Sequence, residues 1–318
     1  MIERLARAKV NLALAVVGRR ADGYHELVSV FARLDLADRL SVEPAGDGDS
    51  LVVGGPIEYR PGVRDLVLRA AALVRASHAP DAAGLAFHLE KHIPMAAGLG
   101  GGSADGAAAL DLTTRAWDVA LTPDERLDLA TRLGSDVPFM AADVDAALIR
   151  GRGEYIEPLP GPLDPVGILM VTSGAGLSTR DVFAAWDGLE AGHPTRRSAA
   201  GSGPETAERA RALAAGLAVG WSAADVVSMA TELRDANDLW PAASRLRPGL
   251  ADLRSALEVH LGRPLVLSGS GPTLLALYPS GAAAETAATA LTAVRISGLA
   301  APAIRVATFA RTAPREAP

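Results

Sequence analysis

A run of glycines at the junction of a strand and a helix constrains this chain more than any other feature. Leu85, Phe87 and Leu89 alternate with Ala86, His88 and Glu90, which predicts a strand running into Lys91. Pro94-Met-Ala-Ala-Gly-Leu-Gly-Gly-Gly-Ser-Ala-Asp105 follows, and then a helical run from Gly106 to Ala116. Gly98, Gly100, Gly101 and Gly102 sit between the two elements, with Ser103 in the first turn of the helix. Glycine lets a backbone curl closely around a ligand, and the free N–H groups of a helix start attract anions. A nucleoside triphosphate is the natural ligand for such a loop. It is not a Walker A loop, because no Gly-Lys-Ser/Thr follows, and Ser103 takes the place of the third glycine of G-x-G-x-x-G. A tight turn or close helix–strand packing also uses glycines, and the cluster by itself leaves both readings open.

The chain has 318 residues, with 31 Lys+Arg against 37 Asp+Glu and a net charge of −6. Apolar residues at 49% and charged residues at 21% suit a globular chain of one or two domains with a real core. The absence of cysteine excludes disulfides, thiolate catalysis and sulfur-ligated metal sites. No apolar run reaches membrane-spanning length. Asn11 interrupts the apolar stretch Val10–Val17, so the start predicts a strand, not a signal peptide, and the chain a cytoplasmic protein. The mildly acidic balance argues against non-specific nucleic-acid binding. A sharper bias lies in the polar residues. Only Lys9 and Lys91 are lysines, only Asn11 and Asn237 are asparagines, and there is no glutamine. A chain so biased toward arginine and alanine keeps lysine or asparagine mainly where the alternatives fail. Lysine differs from arginine in being a compact point charge with a movable pKa.

Val10, Leu12, Leu14 and Val16 alternate with Lys9, Asn11, Ala13 and Ala15, predicting a strand over Arg7–Val16 that sets Lys9 beside Asn11. Leu40–Glu43 and Leu51–Val53, joined through the Gly/Asp stretch Pro44–Ser50, predict a hairpin. Asp65–Ala76 predicts a helix burying Leu66, Val67, Ala70, Leu73 and Val74. Thr122-Pro-Asp-Glu125 is a capping box that starts another helix, and Gly134 ends it. The Gly/Pro-rich segment Gly151–Pro165 marks a boundary, dividing the chain into domains 1–152 and 153–318. Asp187–Glu205 predicts a surface loop. Leu250, Leu253, Leu257 and Leu261 share a helix face ended by Gly262 and Pro264. Short strands at Leu265–Leu267 and Leu274–Leu277, a helix over Ala282–Val294 and a strand over Ala303–Phe309 give a β–α–β-like second half with an antiparallel bias. There is no internal repeat and no coiled-coil heptad.

Two further loops could join the glycine run. Ser268-Gly-Ser-Gly-Pro-Thr273 could bring a second set of backbone N–H groups to a phosphate, although alone it reads as a hairpin turn. Tyr24 and His25, directly after the Asp22-Gly23 turn, suit ring stacking and base hydrogen bonding, or are a surface aromatic pair. Asp136 precedes Val137-Pro138 at a helix start, where local sequence favours an N-cap. Near a phosphate loop such an acid could instead orient or deprotonate an attacking hydroxyl.

Together these segments resemble the GHMP kinases. That family's nucleotide loop reads P-x-x-x-G-L-x-S/G-S-A, which Pro94–Ala104 matches in slightly longer form. Ala8-Lys-Val-Asn-Leu12, Arg20–Leu27, Leu133-Gly-Ser-Asp-Val-Pro138, Gly151-Arg-Gly-Glu154, Asn237-Asp-Leu239 and Ser268–Thr273 extend the likeness in family order over nearly the whole chain. Lys-x-Asn with Asp-Gly-Tyr-His is similar to the branch acting on a cytidine diphosphate-linked methylerythritol. The resemblance implies a two-domain α+β fold, with an amino-terminal domain like ribosomal S5 domain 2 and a carboxy-terminal ferredoxin-like α/β sandwich.

The resemblance also implies ATP-dependent phosphorylation of the erythritol 2-hydroxyl, in isoprenoid precursor biosynthesis. It places ATP on Pro94, Met95, Ala96, Ala97, Gly98, Leu99, Gly100, Gly101, Gly102, Ser103 and Ala104, with Lys91, Asp65 and Leu66 near the adenine end. Asp136 would be the catalytic base and Lys9 its charged partner, with Mg²⁺ held through Ser103. Tyr24 and His25 would hold the cytidine side, Asn11 the erythritol hydroxyls, and Phe183 would stack on cytosine. The implied partner is a small molecule, not a nucleic acid or a membrane, on a monomer or homodimer. Three departures stand out. Ala96 and Ala97 replace glycines common in the loop, Asp65 replaces an asparagine, and Ala142-Asp-Val-Asp-Ala146 lacks the usual Gly-Gly. Another small-alcohol kinase of the family would share the loop without Asp-Gly-Tyr-His. A silent nucleotide-binding or RNA-binding module is the alternative from another class, since ribosomal proteins use a similar amino-terminal fold. The net charge and the Lys9/Asp136 pair count against it.

Overall fold

Alternating apolar residues carry the first strand well past its expected ends. In a computed structural model, which describes residues 1–46, 48–62, 65–142, 144–174, 176–192, 203–292 and 303–310, β1 runs Ile2–Arg19 and β2 runs His25–Ala45. β3 (Ser50–Gly54), α1 (Leu66–His78), β4 (Gly84–Glu90), α2 (Gly101–Ala116), α3 (Pro123–Leu133) and α4 (Val137–Ala141) follow. Then come β5 (Ala146–Gly151), β6 (Tyr155–Leu159), β7 (Gly167–Thr172), α5 (Thr179–Gly192), α6 (Gly203–Ala218), α7 (Ala223–Ser228) and α8 (Ala230–Arg234). The order closes with α9 (Trp240–Leu246), α10 (Leu250–Leu261), β8 (Val266–Leu267), β9 (Thr273–Tyr278), α11 (Gly281–Thr292) and β10 (Ala303–Thr308). Two sheets with helices between their strands bear out the α+β class. Among the described residues no helix is long and apolar enough to cross a membrane.

The chain forms two compact units, neither of them one stretch of sequence. The first comprises Met1–Ala8, Leu36–Met95 and Gly100–Asp143, and the second Lys9–Asp35, Ala96–Leu99 and Val144–Pro318. In the first unit, Arg39–Ala45 of β2 pairs antiparallel with β4, while β3 pairs parallel with β4. The hairpin expected through Pro44–Ser50 therefore does not form, because β4 takes the place beside β2. β3, α1 and β4 make a crossover, and a chain returning through a helix lies parallel to the strand it left. Asp49 fixes the arrangement. Its Oδ1 accepts from Leu85 N at 3.0 Å and from Arg75 Nη2 at 2.6 Å, tying the head of β3 to β4 and α1. Asp65 caps α1, and the Thr122/Glu125 capping box starts α3 as its sequence requires.

In the second unit, β10, β7, β9 and β8 form an antiparallel sheet in that order, and Leu27–Ala32 of β2 pairs with β5. Leu169, Val171, Leu274 and Ala276 of the sheet share a core with Leu250, Leu253 and Leu257 of α10. The expected loop over Asp187–Glu205 is helical at both described ends, in α5 and from Gly203 in α6, and 193–202 lie outside the described residues. Val182, Phe183, Ala185, Trp186 and Leu189 form one apolar face on that core, which carries α5 through Gly188. The helix expected over Ala282–Val294 is α11, and its last two residues also lie outside the described ones.

Asp49→Ala should lower the unfolding free energy by about 1–3 kcal/mol in urea titrations, because it strands a backbone donor and a guanidinium. A change within about 0.5 kcal/mol, the range of ordinary surface substitutions, would show that the crossover holds without it.

Candidate active site

α2 begins at Gly101, not at the expected Gly106, so the end of the glycine run is itself helical. Gly100 precedes it at φ +69°, no side chain caps the first turn, and no acid stands in it. The first N–H groups of a helix have no partner within it, and they carry the positive end of its dipole. A start without its own cap leaves those donors to an external anion.

Within the second unit, Ala96 adopts φ +50°, which costs a residue with a side chain about 1–2 kcal/mol. The replacement of a glycine there is thus felt, and the Ala96 carbonyl is held by Leu177 N at 3.0 Å. Gly98, at φ +78°, lies so close to the Ser268 carbonyl that a Cβ would overlap it. Ser268 Oγ donates to Gly98 O at 3.0 Å. The second loop is therefore fastened to the glycine loop and is not a bare hairpin turn.

In the first unit a cavity of about 240 Å³ gathers Asp65, Leu66, Lys91, Met95 and Gly102 with Tyr59, Gly62 and Asp105. Five residues expected on the nucleotide thus meet at one place. The Lys91 ammonium, however, is 1% exposed and bonded to Asp38 Oδ2 at 2.5 Å and Asp105 Oδ2 at 2.6 Å. Asp38 Oδ1 also accepts from His92 N at 2.5 Å and Ile93 N at 2.8 Å. Burial lowers the Lys91 pKa, but the two carboxylates outweigh it and the net direction is upward. Burial raises Asp105, Lys91 opposes it, and the like charge of Asp38 adds to the rise, to about 7. Asp65 Oδ1 accepts from Val67 N at 2.8 Å, and its Oδ2 accepts from the Tyr59 hydroxyl. A carboxylate accepts only, whereas the asparagine it replaces could also donate.

In the second unit Lys9 and Asn11 sit together on β1, as their spacing requires. Lys9 Nζ donates to Asn11 Oδ1 at 2.5 Å and lies 4.2 Å from the Phe31 ring centroid. Asn11 Nδ2 donates to Ser29 Oγ at 3.0 Å, and Asn11 N to Ser268 Oγ at 3.4 Å. Both ends of the Asn11 amide are engaged, so a substrate hydroxyl would replace one of these bonds. Asn237 acquires a role. Its Nδ2 donates to Leu267 O and Gly269 O, each at 2.9 Å, and its Oδ1 accepts from Leu239 N, anchoring the second loop. Asp136 precedes α4 in the first unit, and its side chain makes no cap hydrogen bond. The N-cap favoured by local sequence is thus not its role.

Tyr24 is 49% exposed, with the Arg152 guanidinium 4.8 Å from its ring centroid. His25 stacks on Phe183 at 4.8 Å and 20°, Trp186 meets it edge-on at 5.3 Å, and its Nε2 lies 2.8 Å from Asp187 Oδ1. Glu154 accepts from Arg152 N and Gly153 N and reaches Arg20 at 3.2 Å, joining the Gly151–Glu154 turn to the Arg20–Leu27 segment. Sequence reasoning missed Asp38, Asp105, Tyr59, Trp186 and Asp187. Asp38 carried a signal, an acid in the apolar phase of Leu34 and Leu40. Trp186 lies next to the segment read as a loop, Asp187 is its first residue, and Asp105 carried no signal.

A glycine-led helix start in one unit and an antiparallel sheet with a fastened second loop in the other define a small-molecule kinase of the GHMP class. The family models described as GHMP kinases N terminal domain and GHMP kinases C terminal match residues 65–147 and 223–296. The chain is 39% identical over 278 residues to the 4-diphosphocytidyl-2-C-methyl-D-erythritol kinase of Pelotomaculum thermopropionicum, covering 87% of this chain and 89% of that one. It is 42% identical over 291 residues to the same-named enzyme of Rhodopseudomonas palustris, covering 91% and 92%. A crystal structure of 4-(cytidine 5'-diphospho)-2C-methyl-D-erythritol kinase superposes with a TM-score of 0.67 at 33% identity, over 98% of this chain and all of that one. The chain belongs to the 4-diphosphocytidyl-2-C-methyl-D-erythritol kinase family.

The buried triad predicts a pH signature. Asp105 holds its proton up to about 7 in the folded protein, against an ordinary value of 3.8. The folded state therefore binds more protons between those values, so this group's contribution to stability falls as pH rises through them and is level above about 7. Asp105→Asn removes that fall. Its melting temperature relative to the wild type should climb from about pH 5 to about pH 7 and then hold constant. A difference independent of pH would contradict the raised Asp105 value.

Proposed function

We propose that this chain transfers the γ-phosphoryl group of ATP to the 2-hydroxyl of 4-diphosphocytidyl-2-C-methyl-D-erythritol, in the cytoplasm, as a step of isoprenoid precursor synthesis by the non-mevalonate route. The observation that carries the reading is the start of α2, led by glycine, uncapped and free of acids, in a chain 39–42% identical to kinases of that name. In this reading 1–152 holds ATP, and 153–318 forms the substrate side together with Tyr24 and His25.

Phosphoryl transfer asks the protein mainly for positioning and charge stabilisation. The α2 N–H groups bind the polyphosphate. The Asp136 carboxylate accepts the hydroxyl proton as the new O–P bond forms and the bond to ADP breaks. Lys9, oriented by Asn11, offsets charge on the moving phosphoryl. Tyr24, His25 and Phe183 take the cytidine side. Among the described residues no group of three or more His, Asp or Glu could hold a metal ion. That suits Mg²⁺, which draws most of its ligands from phosphate oxygens and water, and Ser103 in the first turn of α2 is the hydroxyl assigned to it. When bound, the ion would supply charge neutralisation on the phosphates.

Asp136→Asn should lower kcat by about 10²–10⁴ in a coupled ADP assay, the usual loss for a general base. Lys9→Ala should also lower kcat while leaving the KM for ATP nearly unchanged. Rates near wild type in both would overturn the assignment, and equal turnover of a plain alcohol would overturn the substrate.

A further inference from the structure

His25 is held more tightly than stacking on a base requires, and the group holding it, Asp187, has no part in the reading above. We infer that Asp187 is a positioning residue that selects the pyrimidine: it fixes the His25 tautomer whose Nδ1 accepts from the exocyclic amine of cytosine, and so rejects uracil. The inference rests on the proposed placement of His25 on the cytidine side.

An ionised carboxylate can only accept, so the 2.8 Å contact of Asp187 Oδ1 with His25 Nε2 puts the imidazole proton on Nε2. In the tautomer with its proton on Nε2 the ring keeps a lone pair on Nδ1, which no described residue engages. The geometry is rigid. Phe183 covers one face at 4.8 Å, Trp186 abuts at 5.3 Å, and Arg19 Nη1 reaches the other Asp187 oxygen at 3.5 Å. The His25 side chain is 9% exposed, so little water competes for that lone pair. Cytosine carries an N4 amine donor where uracil carries the O4 acceptor. Uracil would set lone pair against lone pair, with neither group able to turn. Sites built around a hydrogen bond reject the analogue that lacks it far better than apolar pockets do.

The test compares kcat/KM for cytidine diphosphate-linked and uridine diphosphate-linked methylerythritol in the wild type and in Asp187→Asn. The wild type should prefer the cytidine compound by about 10² or more. The amide can donate as well as accept, freeing the other tautomer. The preference should fall about tenfold or more, through KM for the cytidine substrate and not through kcat. An unchanged preference with uniformly lower activity overturns the inference and leaves the proposed function standing. A wild type that turns over neither compound overturns the function, and the inference with it. Should the variant fold poorly, ¹⁵N NMR of the wild type decides, with His25 identified by His25→Gln. A bare Nδ1 with protonated Nε2 supports the inference, and a dominant Nδ1–H form overturns it.

Discussion

The Lys91 ammonium, sealed between Asp38 and Asp105, joins three elements of the first unit. Asp38 belongs to β2, Lys91 follows β4, and Asp105 lies in α2. The same Asp38 takes the N–H groups of His92 and Ile93, so the approach to the glycine run is pinned as well. Stability alone does not account for such a cluster. Apolar side chains of similar volume often serve as well, while removing one charged partner costs about 3–5 kcal/mol. Bonds between charged groups do what apolar packing cannot, which is to fix direction. A Cβ on Gly101 would stand 2.9 Å from Ile93 Cγ2 and 3.2 Å from the Lys91 amine, so the first residue of α2 rests against Ile93 and the cluster. The donors of the α2 start are aimed by a buried ion cluster beneath them.

The second unit solves the same problem without charge. Ser268 Oγ touches Gly98 O and Asn11 N, and Asn237 ties Leu267 and Gly269 to Leu239. Every member but the half-buried Gly98 is buried, and a buried polar group left without a partner costs about 1–3 kcal/mol. The loop therefore has one well-satisfied conformation and few poor ones nearby. A loop preorganised in this way leaves little reordering to oppose the binding of any ligand.

What could be read from residue order follows the range of the interaction concerned. The capping box at Thr122 and the apolar face of α10 are settled within a few residues, and both stand where their patterns put them. The partner of β3 depends on α1, which lies beyond the Gly/Asp stretch that suggested a hairpin. The local turn signal was real, but a crossover overrode it. α5 continues through Gly188 because core contacts outweigh the weak helix propensity of glycine. Within the site, Lys9 and Asn11 could be paired from alternation, and the glycine run placed at a helix start. The partners of Lys91 and His25 could not be read, because Asp38, Asp105 and Asp187 each come from another element.

The rarity of lysine and asparagine has a physical explanation in this structure. Lys9, Asn11, Lys91 and Asn237 are all buried, none more than 4% exposed. Lys9 donates to Asn11 and lies over the Phe31 ring, and each of the other three is bonded to two or more groups at fixed positions. An arginine in place of Lys91 would bring five N–H donors in a rigid plane to a space that two carboxylate oxygens already fill, leaving donors buried and unpaired. An aspartate in place of Asn237 could not donate to Leu267 and Gly269, and would set its charge against two carbonyl oxygens. Exposed positions let a compositional bias run, since solvent satisfies almost any polar group. Buried polar positions resist it, because only one donor count and shape closes the network. In a chain with two lysines and two asparagines, those four residues therefore mark where polar groups are buried for a purpose, and all four lie in or beside the loops assigned to the ligands.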